Sequence, residues 1–351
     1  MENISPALLH WFHANHRILP FRSDPTPYHV WLSEIMLQQT RVSAALPYYE
    51  RFLAALPDIP ALAACEEEKL HKLWEGLGYY SRVRNLQKAA KLVCAQYGGE
   101  LPADYDALRA LPGIGDYTAG AIASISFGLP VPAVDGNVLR VVSRLTDSRE
   151  DIALPKTKRT IRVALEAVMP QEAEQIRIFN QATMELGATV CVPNGPPRCE
   201  ECPAAPFCLG RIRGTALSLP VKSGKKERRW EEKTVFLLLR EGRLALRRRP
   251  DTGLLAGLWE FPNVEGALEE ASAAAAVEAW GLTPLEWRQK LNARHIFTHV
   301  EWEMTGYVLE VRGPGPETFA WVDAEAFSTR AVPSAFARYR AEAERILQEK
   351  A

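Results

Sequence analysis

Apolar positions recur at helical spacing along the chain up to about residue 217, then change to strand-like runs. Residues 1–19, with His10, Trp11, His13 and His16 near one face, predict an amphipathic first helix. The stretch YHVWLSEIMLQQTRV predicts a second, carrying apolar Val30, Trp31, Ile35 and Met36. In LPGIGDYTAGAI, Pro112, Gly113 and Gly115 cannot all sit inside a helix, so a tight turn opening onto an Ala-rich helix is expected. Pro130 and Pro132 end that helix, Asp135-Gly136-Asn137 turns, and Val138–Leu145 begins another. Residues 156–190 read as helical. From Ser218 to Lys233 the apolar period is lost, which marks a linker. Beyond it, TVFLLLR, a Glu241-Gly242 turn and RLALRRR predict a hairpin. An Ala-rich helix from Ala267 to Trp280, apolar segments at Ile296–Trp302 and Met304–Val311, a strand at FAWV and a terminal helix from Ser334 to Glu349 complete an α+β unit.

A chain of 351 residues with 47% apolar composition can bury two cores. Its formal net charge is only −1. Bulk charge therefore gives no argument for nucleic acid, and any such grip must be local, as at Arg82 and Arg84 or at Lys156, Lys158, Arg159 and Arg162. No signal segment or membrane-length apolar run is read, so a soluble, cytoplasmic chain is expected.

Five places along the chain carry candidate chemistry. The LPGIG turn would expose backbone N–H groups at a helix start, suited to a phosphate oxygen without any basic side chain. Glu34, flanked by Trp31, Ile35 and Met36, risks desolvation, which would keep its carboxyl protonated near neutral pH as a general acid requires. Asp135 sits where it would cap a helix, and an ionised catalytic role can coexist with capping. In WEGLGYYSRVRN, glycines, Tyr79, Tyr80 and two arginines suit a ring wedged between bases with guanidinium groups on phosphates. Cys191, Cys199, Cys202 and Cys208 fall within eighteen residues of Pro/Gly-rich loop and can wrap one metal centre. Spacing alone leaves zinc and an iron–sulfur cluster both open, with zinc slightly favoured.

Together, WLSEIMLQQTRV, WEGLGYYSRVRN, LPGIGDYTAGAI, AVDGNV, the four-cysteine loop and the FTH triplet at 297–299 resemble the MutY family of adenine glycosylases. The resemblance implies a multidomain fold: an all-α helix-hairpin-helix glycosylase region with a cluster loop over 1–217, a linker over 218–232, and a Nudix-like α+β domain over 233–351. It implies removal of adenine mispaired with 8-oxoguanine, or with guanine, from double-stranded DNA. Glu34 matches the proton donor, Asp135 the carboxylate that stabilises the oxocarbenium-like sugar, and Tyr117 and Asn137 the residues that orient them. Arg22 and Leu37 match the adenine-pocket wall. Gln39 and Tyr79 match residues around 8-oxoguanine, and Phe297, Thr298 and His299 match the loop that reads it. Gly113 and Gly115 match the phosphate-gripping hairpin. The resemblance also tips the cysteines toward a [4Fe–4S] cluster. A monomer is expected.

Endonuclease III-like lyases share hairpin and cluster but carry a Lys in place of Tyr117, whose amine forms a Schiff base; a phenol cannot. A monofunctional enzyme is therefore expected over a pyrimidine lyase or a non-catalytic DNA-binding protein. The chain departs from the family pattern at Phe21 (usually Trp), at Thr298 (usually Ser) and in a first cysteine spacing one residue longer. In the second domain, Ala275 and Ala279 replace acidic residues of the Nudix helix and only Glu278 remains, so recognition without metal-dependent hydrolysis is expected.

Overall fold

The computed structural model describes residues 4–224 and 227–349. The chain divides into two compact units, Met1–Ala64 with Arg84–Gly224, and Cys65–Val83 with Lys225–Ala351. In chain order the helices up to the cysteine loop are α1 (Ile4–Asn15), α2 (Pro20–Ser23), α3 (Pro27–Leu37), α4 (Val42–Ala55), α5 (Ile59–Ala64), α6 (Glu67–Leu73), α7 (Ser81–Tyr97), α8 (Tyr105–Arg109), α9 (Asp116–Phe127), α10 (Gly136–Thr146), α11 (Pro155–Glu166), α12 (Ala173–Thr189) and α13 (Leu209–Ile212).

The first unit is helical. Leu8 and Phe12 of α1, Val138, Val141 and Val142 of α10, and Phe179, Ala182 and Leu186 of α12 form one buried core. The apolar run of α9 is buried nearly all round, with Ala119, Ala121, Ile122 and Ala123 wholly inside, as a helix packed between α3 and α12 must be. Pro27 starts α3, whose N-cap Thr26 accepts the His29 N–H. The helix predicted to run on through Val42 stops at Leu37, because Gln39 takes a left-handed φ of +59° and Thr40 N–H turns back to the Leu37 carbonyl. The helical stretch at 156–190 is two helices, broken at 167–172 where Pro170 supplies no N–H.

The second unit is built on a sheet of β1 (Arg229–Arg240), β2 (Arg243–Arg248), β3 (Trp259–Glu260), β4 (Asn263–Glu265), β5 (Thr283–Ile296), β6 (Val300–Arg312) and β7 (Phe319–Val322), with α14 (Glu270–Ala279), α15 (Ala324–Thr329) and α16 (Ala337–Glu349). The path is β3-β2-β1-β6-β5, with β4 on β1 and β7 on β2; β1 and β6 are parallel and the other pairs antiparallel. Both faces of β1 are buried. Val235, Leu237 and Leu239 meet Phe336, Tyr339 and Ile346 on one side, and Phe236 and Leu238 meet Ala273 and Val277 of α14 on the other. That explains an uninterrupted VFLLL rather than an alternating run. Glu241 and Gly242 both have positive φ, at 50° and 76°, the backbone a two-residue hairpin turn needs.

Two expectations change here. Ile296–Trp302 is not one strand: Phe297, Thr298 and His299 reverse the chain between β5 and β6, closed by Phe297 N–H to the Val300 carbonyl at 2.8 Å. And β5 had no apolar signal, because it is an edge strand with only Leu291 buried.

The second unit also takes in residues 65–83, which a boundary at 217 would leave with the helices. Ion pairs hold them there: Glu67 to Arg248 at 3.1 Å, Glu68 to Arg330, and Glu75 to Arg340 at 2.7 Å. Glu75 also accepts the Val332 N–H at 3.0 Å. Among the described residues no helix is long and apolar enough to cross a membrane.

Candidate active site

A cavity of about 1170 Å³ opens in the helical unit. Glu34 and Leu37 enter it from α3, Arg22 from α2, Tyr117 from the first turn of α9, Asp135 and Asn137 from the start of α10, and Met184 and Glu185 from α12; Gln39 lies on its rim. Asp135 is the N-cap of α10: Oδ1 accepts the Val138 N–H and Oδ2 the Asn137 side-chain amide, both at 2.7 Å. Asn137 in turn accepts Arg140 Nη2 at 2.9 Å, and the same nitrogen donates to the Gly187 carbonyl at 2.8 Å. Gly187 is required at this crossing, since a Cβ there would lie 2.6 Å from that of Asn137.

The two catalytic candidates differ in environment. Burial pushes the Glu34 carboxyl up to about 7; the hydrogen bond donated by Tyr117 to Oε2 opposes this, the Asp135 charge adds to it, and Arg22 draws it down. With Oε2 accepting from the phenol, Oε1 is the oxygen left to carry a proton. Burial also raises Asp135, but donors from Val138 and Asn137 and the charge of Arg140 work against it. Tyr117 is held well above the ordinary phenol value by burial and by the neighbouring carboxylates, so it stays protonated.

Arg17, Met184 and Glu185 were absent from the expected site. Glu185 has a side chain with no exposure, and it accepts Arg17 Nε and Nη2 at 2.7 Å each and Arg22 Nη2 at 2.8 Å. Burial raises this carboxyl, yet the arginine hydrogen bonds prevail and hold it at about 2. Its signal was a lone Glu in the apolar run FNQATMELG, the argument already made for Glu34.

The hairpin lies between α8 and α9. Gly113 takes φ +78°, and a Cβ there would fall 2.7 Å from Asn85. Gly115 caps α9 with no side-chain acceptor, leaving the first N–H groups open to an anion.

Residues 32–171 match the HhH-GPD superfamily of base excision DNA repair proteins, and residues 234–342 match the NUDIX domain. The human adenine DNA glycosylase is 33% identical over 94% of this chain and 72% of its own. The mouse enzyme is 34% identical, over 93% and 75%. This chain belongs to the adenine DNA glycosylase family. It is a base-excision glycosylase that hydrolyses the N-glycosidic bond of adenine in DNA. A solved thermostable thymine-DNA glycosylase is 25% identical and covers 60% of this chain and 95% of that one, with a TM-score of 0.54.

In the glycosylase the four loop cysteines border one small cavity with Arg144 and Arg211. Arg144 Nη1 donates to Cys191 Sγ at 3.2 Å and the Arg211 N–H to Cys208 Sγ at 3.4 Å. Burial, with the nearby thiols of Cys191, Cys208 and Cys199, pushes Cys202 up to about 11. Among the described residues no three His, Cys, Asp or Glu side chains are disposed to hold a single metal ion.

Tyr79 is placed in the sheet unit, with its hydroxyl 2.7 Å from the Thr298 hydroxyl. It is a non-glycine residue at φ +48° following Gly78 at +70°, a strained turn. Arg82, read as a phosphate ligand, is instead buried and donates Nη2 to the Leu77 and Gly78 carbonyls at 3.1 and 3.2 Å. It braces the turn. Thr298 and His299 are exposed, whereas Phe297 is half-buried against His295 and Trp302 and serves the loop's packing.

Proposed function

We propose that this glycosylase excises adenine paired with 8-oxoguanine, or with guanine, by a proton-first hydrolysis. The observation that carries the reading is one cavity holding a buried Glu34 raised to about 7 beside a helix-capping Asp135. Flipped adenine enters between Leu37 and Arg22. Glu34 Oε1 gives its proton to a ring nitrogen of the purine, and the glycosidic electron pair leaves with the base. Asp135, kept ionised by its donors, stabilises the oxocarbenium-like sugar until water adds to it and gives up a proton to the now-ionised Glu34. Tyr117 orients Glu34, and Asn137 orients Asp135. No amine stands at Tyr117, so strand cleavage through a Schiff base is not expected.

Gly113 and Gly115 grip a backbone phosphate at the α9 start. Gln39, Tyr79, Thr298 and His299 read the lesion, with Phe297 supporting the loop. The sheet unit recognises without hydrolysing nucleotides, since α14 offers Glu278 but Ala275 and Ala279. Cys191, Cys199, Cys202 and Cys208 fit a [4Fe–4S] cluster: four thiols around one cavity, backed by donors to sulfur, suit a group larger than one ion. Bound there, the cluster supplies a structural tie for a DNA-facing loop. The working form is a monomer on double-stranded DNA.

Single-turnover excision on an adenine:8-oxoguanine duplex tests the reading, with Glu34→Gln and Asp135→Asn beside the unaltered protein. Duplex binding kept and base release lost in both is expected; release at full speed in either overturns it.

A further inference from the structure

Glu185 lines the same cavity as the proposed donor and has no part in the mechanism above. Its carboxylate is wholly buried, and each oxygen accepts from a guanidinium: Arg17 reaches both at 2.7 Å and Arg22 reaches Oε2 at 2.8 Å. Arg17 N–H adds a fourth bond at 3.1 Å, and Arg22 Nη1 holds the Arg17 carbonyl at 3.1 Å. Such a clamp fixes two long side chains in one geometry. Both arginines and Glu185 line the cavity that holds Glu34.

We propose that Glu185 is a positioning residue for the proton donor: its clamp fixes the Arg22 guanidinium in the cavity wall and neutralises positive charge that would otherwise strip the proton from Glu34. The Arg22 guanidinium in the same cavity favours the ionised form of Glu34, and a nearby anion of fixed charge opposes that pull. Glu185 suits that task because its own carboxyl sits at about 2 and does not titrate where the enzyme works. Charged and titratable groups from several elements line the cavity with Glu34. Arg17 and Arg22 come from α2 and the residues before it, Tyr117 from α9, Asp135 from α10 and Glu185 from α12; Arg41, Lys158 and Lys222 line the same cavity. Of these, Glu185 bonds Arg22, the arginine that draws the Glu34 proton, and holds Arg17 beside it.

The inference rests on Glu34 being the donor, and Glu34→Gln separates the two: full activity in that variant removes the mechanism itself. The test is the pH profile of single-turnover excision at saturating enzyme. Activity falls as pH rises through the Glu34 titration. In Glu185→Gln this falling limb should move about one pH unit lower, costing about tenfold near pH 8 and little near pH 5.5. Glu185→Asp keeps the charge and should keep the limb. Arg17→Gln with Glu185→Gln removes one cation with the anion and should return the limb to its original place. If Glu185→Gln melts too early to assay, Arg17→Gln alone, at a half-exposed residue, should move the limb upward. A limb that stays fixed in Glu185→Gln, or in Arg17→Gln where that variant stands in, overturns the proposal, as does a loss of rate equal at all pH values.

Discussion

Glu34 on α3 and Glu185 on α12 are both buried in the wall of one cavity, yet one carboxyl is pushed up to about 7 and the other held at about 2. Burial acts on both in the same direction. What differs is the donor set: Glu34 receives one phenol, whereas Glu185 receives two guanidinium groups and a backbone N–H. The depth of a carboxylate therefore does not decide its ionisation; the charge of its hydrogen-bond donors does.

The comparison breaks most visibly at Glu34 itself. Glu34→Gln leaves the shape and removes the proton, and excision should fall by about 10²–10⁴-fold or more in single turnover with duplex binding retained. Asp135→Asn should lose excision on the same scale. Tyr117→Phe sharpens the contrast, because its hydrogen bond is the larger of the two influences, with the Arg22 charge, that hold the Glu34 value down. The falling limb of the pH–rate profile should then move upward, opposite to Glu185→Gln, with a loss of about tenfold at neutral pH as Glu34 loses its orientation. A limb that moves downward instead would mean that the phenol raises, rather than lowers, the affinity of Glu34 for its proton.

A stability measurement reads the same two carboxyls. Glu34 binds its proton more tightly folded than unfolded, so it costs stability as pH rises from about 4.5 to about 7 and carries the full penalty above that. Glu34→Gln should therefore melt higher than the parent near pH 8, by on the order of 2 kcal/mol, and gain little near pH 4. Glu185 is depressed, so its contribution is present above the ordinary carboxylate range and is lost as pH falls toward about 2. The smallest effect is expected in the other unit. Thr298→Ala removes the hydroxyl beside Tyr79 and, on the proposed lesion-reading role of that loop, should lower the ratio of excision rates opposite 8-oxoguanine and guanine a few-fold.

Much of this was legible before the fold. The LPGIG turn needed Gly113 at φ +78° and opened a helix, and α9 runs from Asp116 to Phe127. Glu34 stood out because a carboxyl among Trp31, Ile35 and Met36 has no water to face. The clamp at Glu185 was not legible, since its partners lie more than 160 positions away and no local spacing records them. β5 was invisible because an edge strand has no buried face to alternate against. Arg82 was misread because an arginine beside tyrosines looks the same in sequence whether it meets a phosphate or two carbonyls of its own turn.

The excursion at residues 65–83 bears on how the protein can be cut. A chain stopped near Gly224 would keep Glu68 and Glu75 but lose Arg330, Val332 and Arg340, and would strip Trp74 and Leu70 of the unit to which they belong. Deleting the sheet is thus an amputation through living tissue rather than the removal of an appendage, and it takes Thr298 from the Tyr79 hydroxyl.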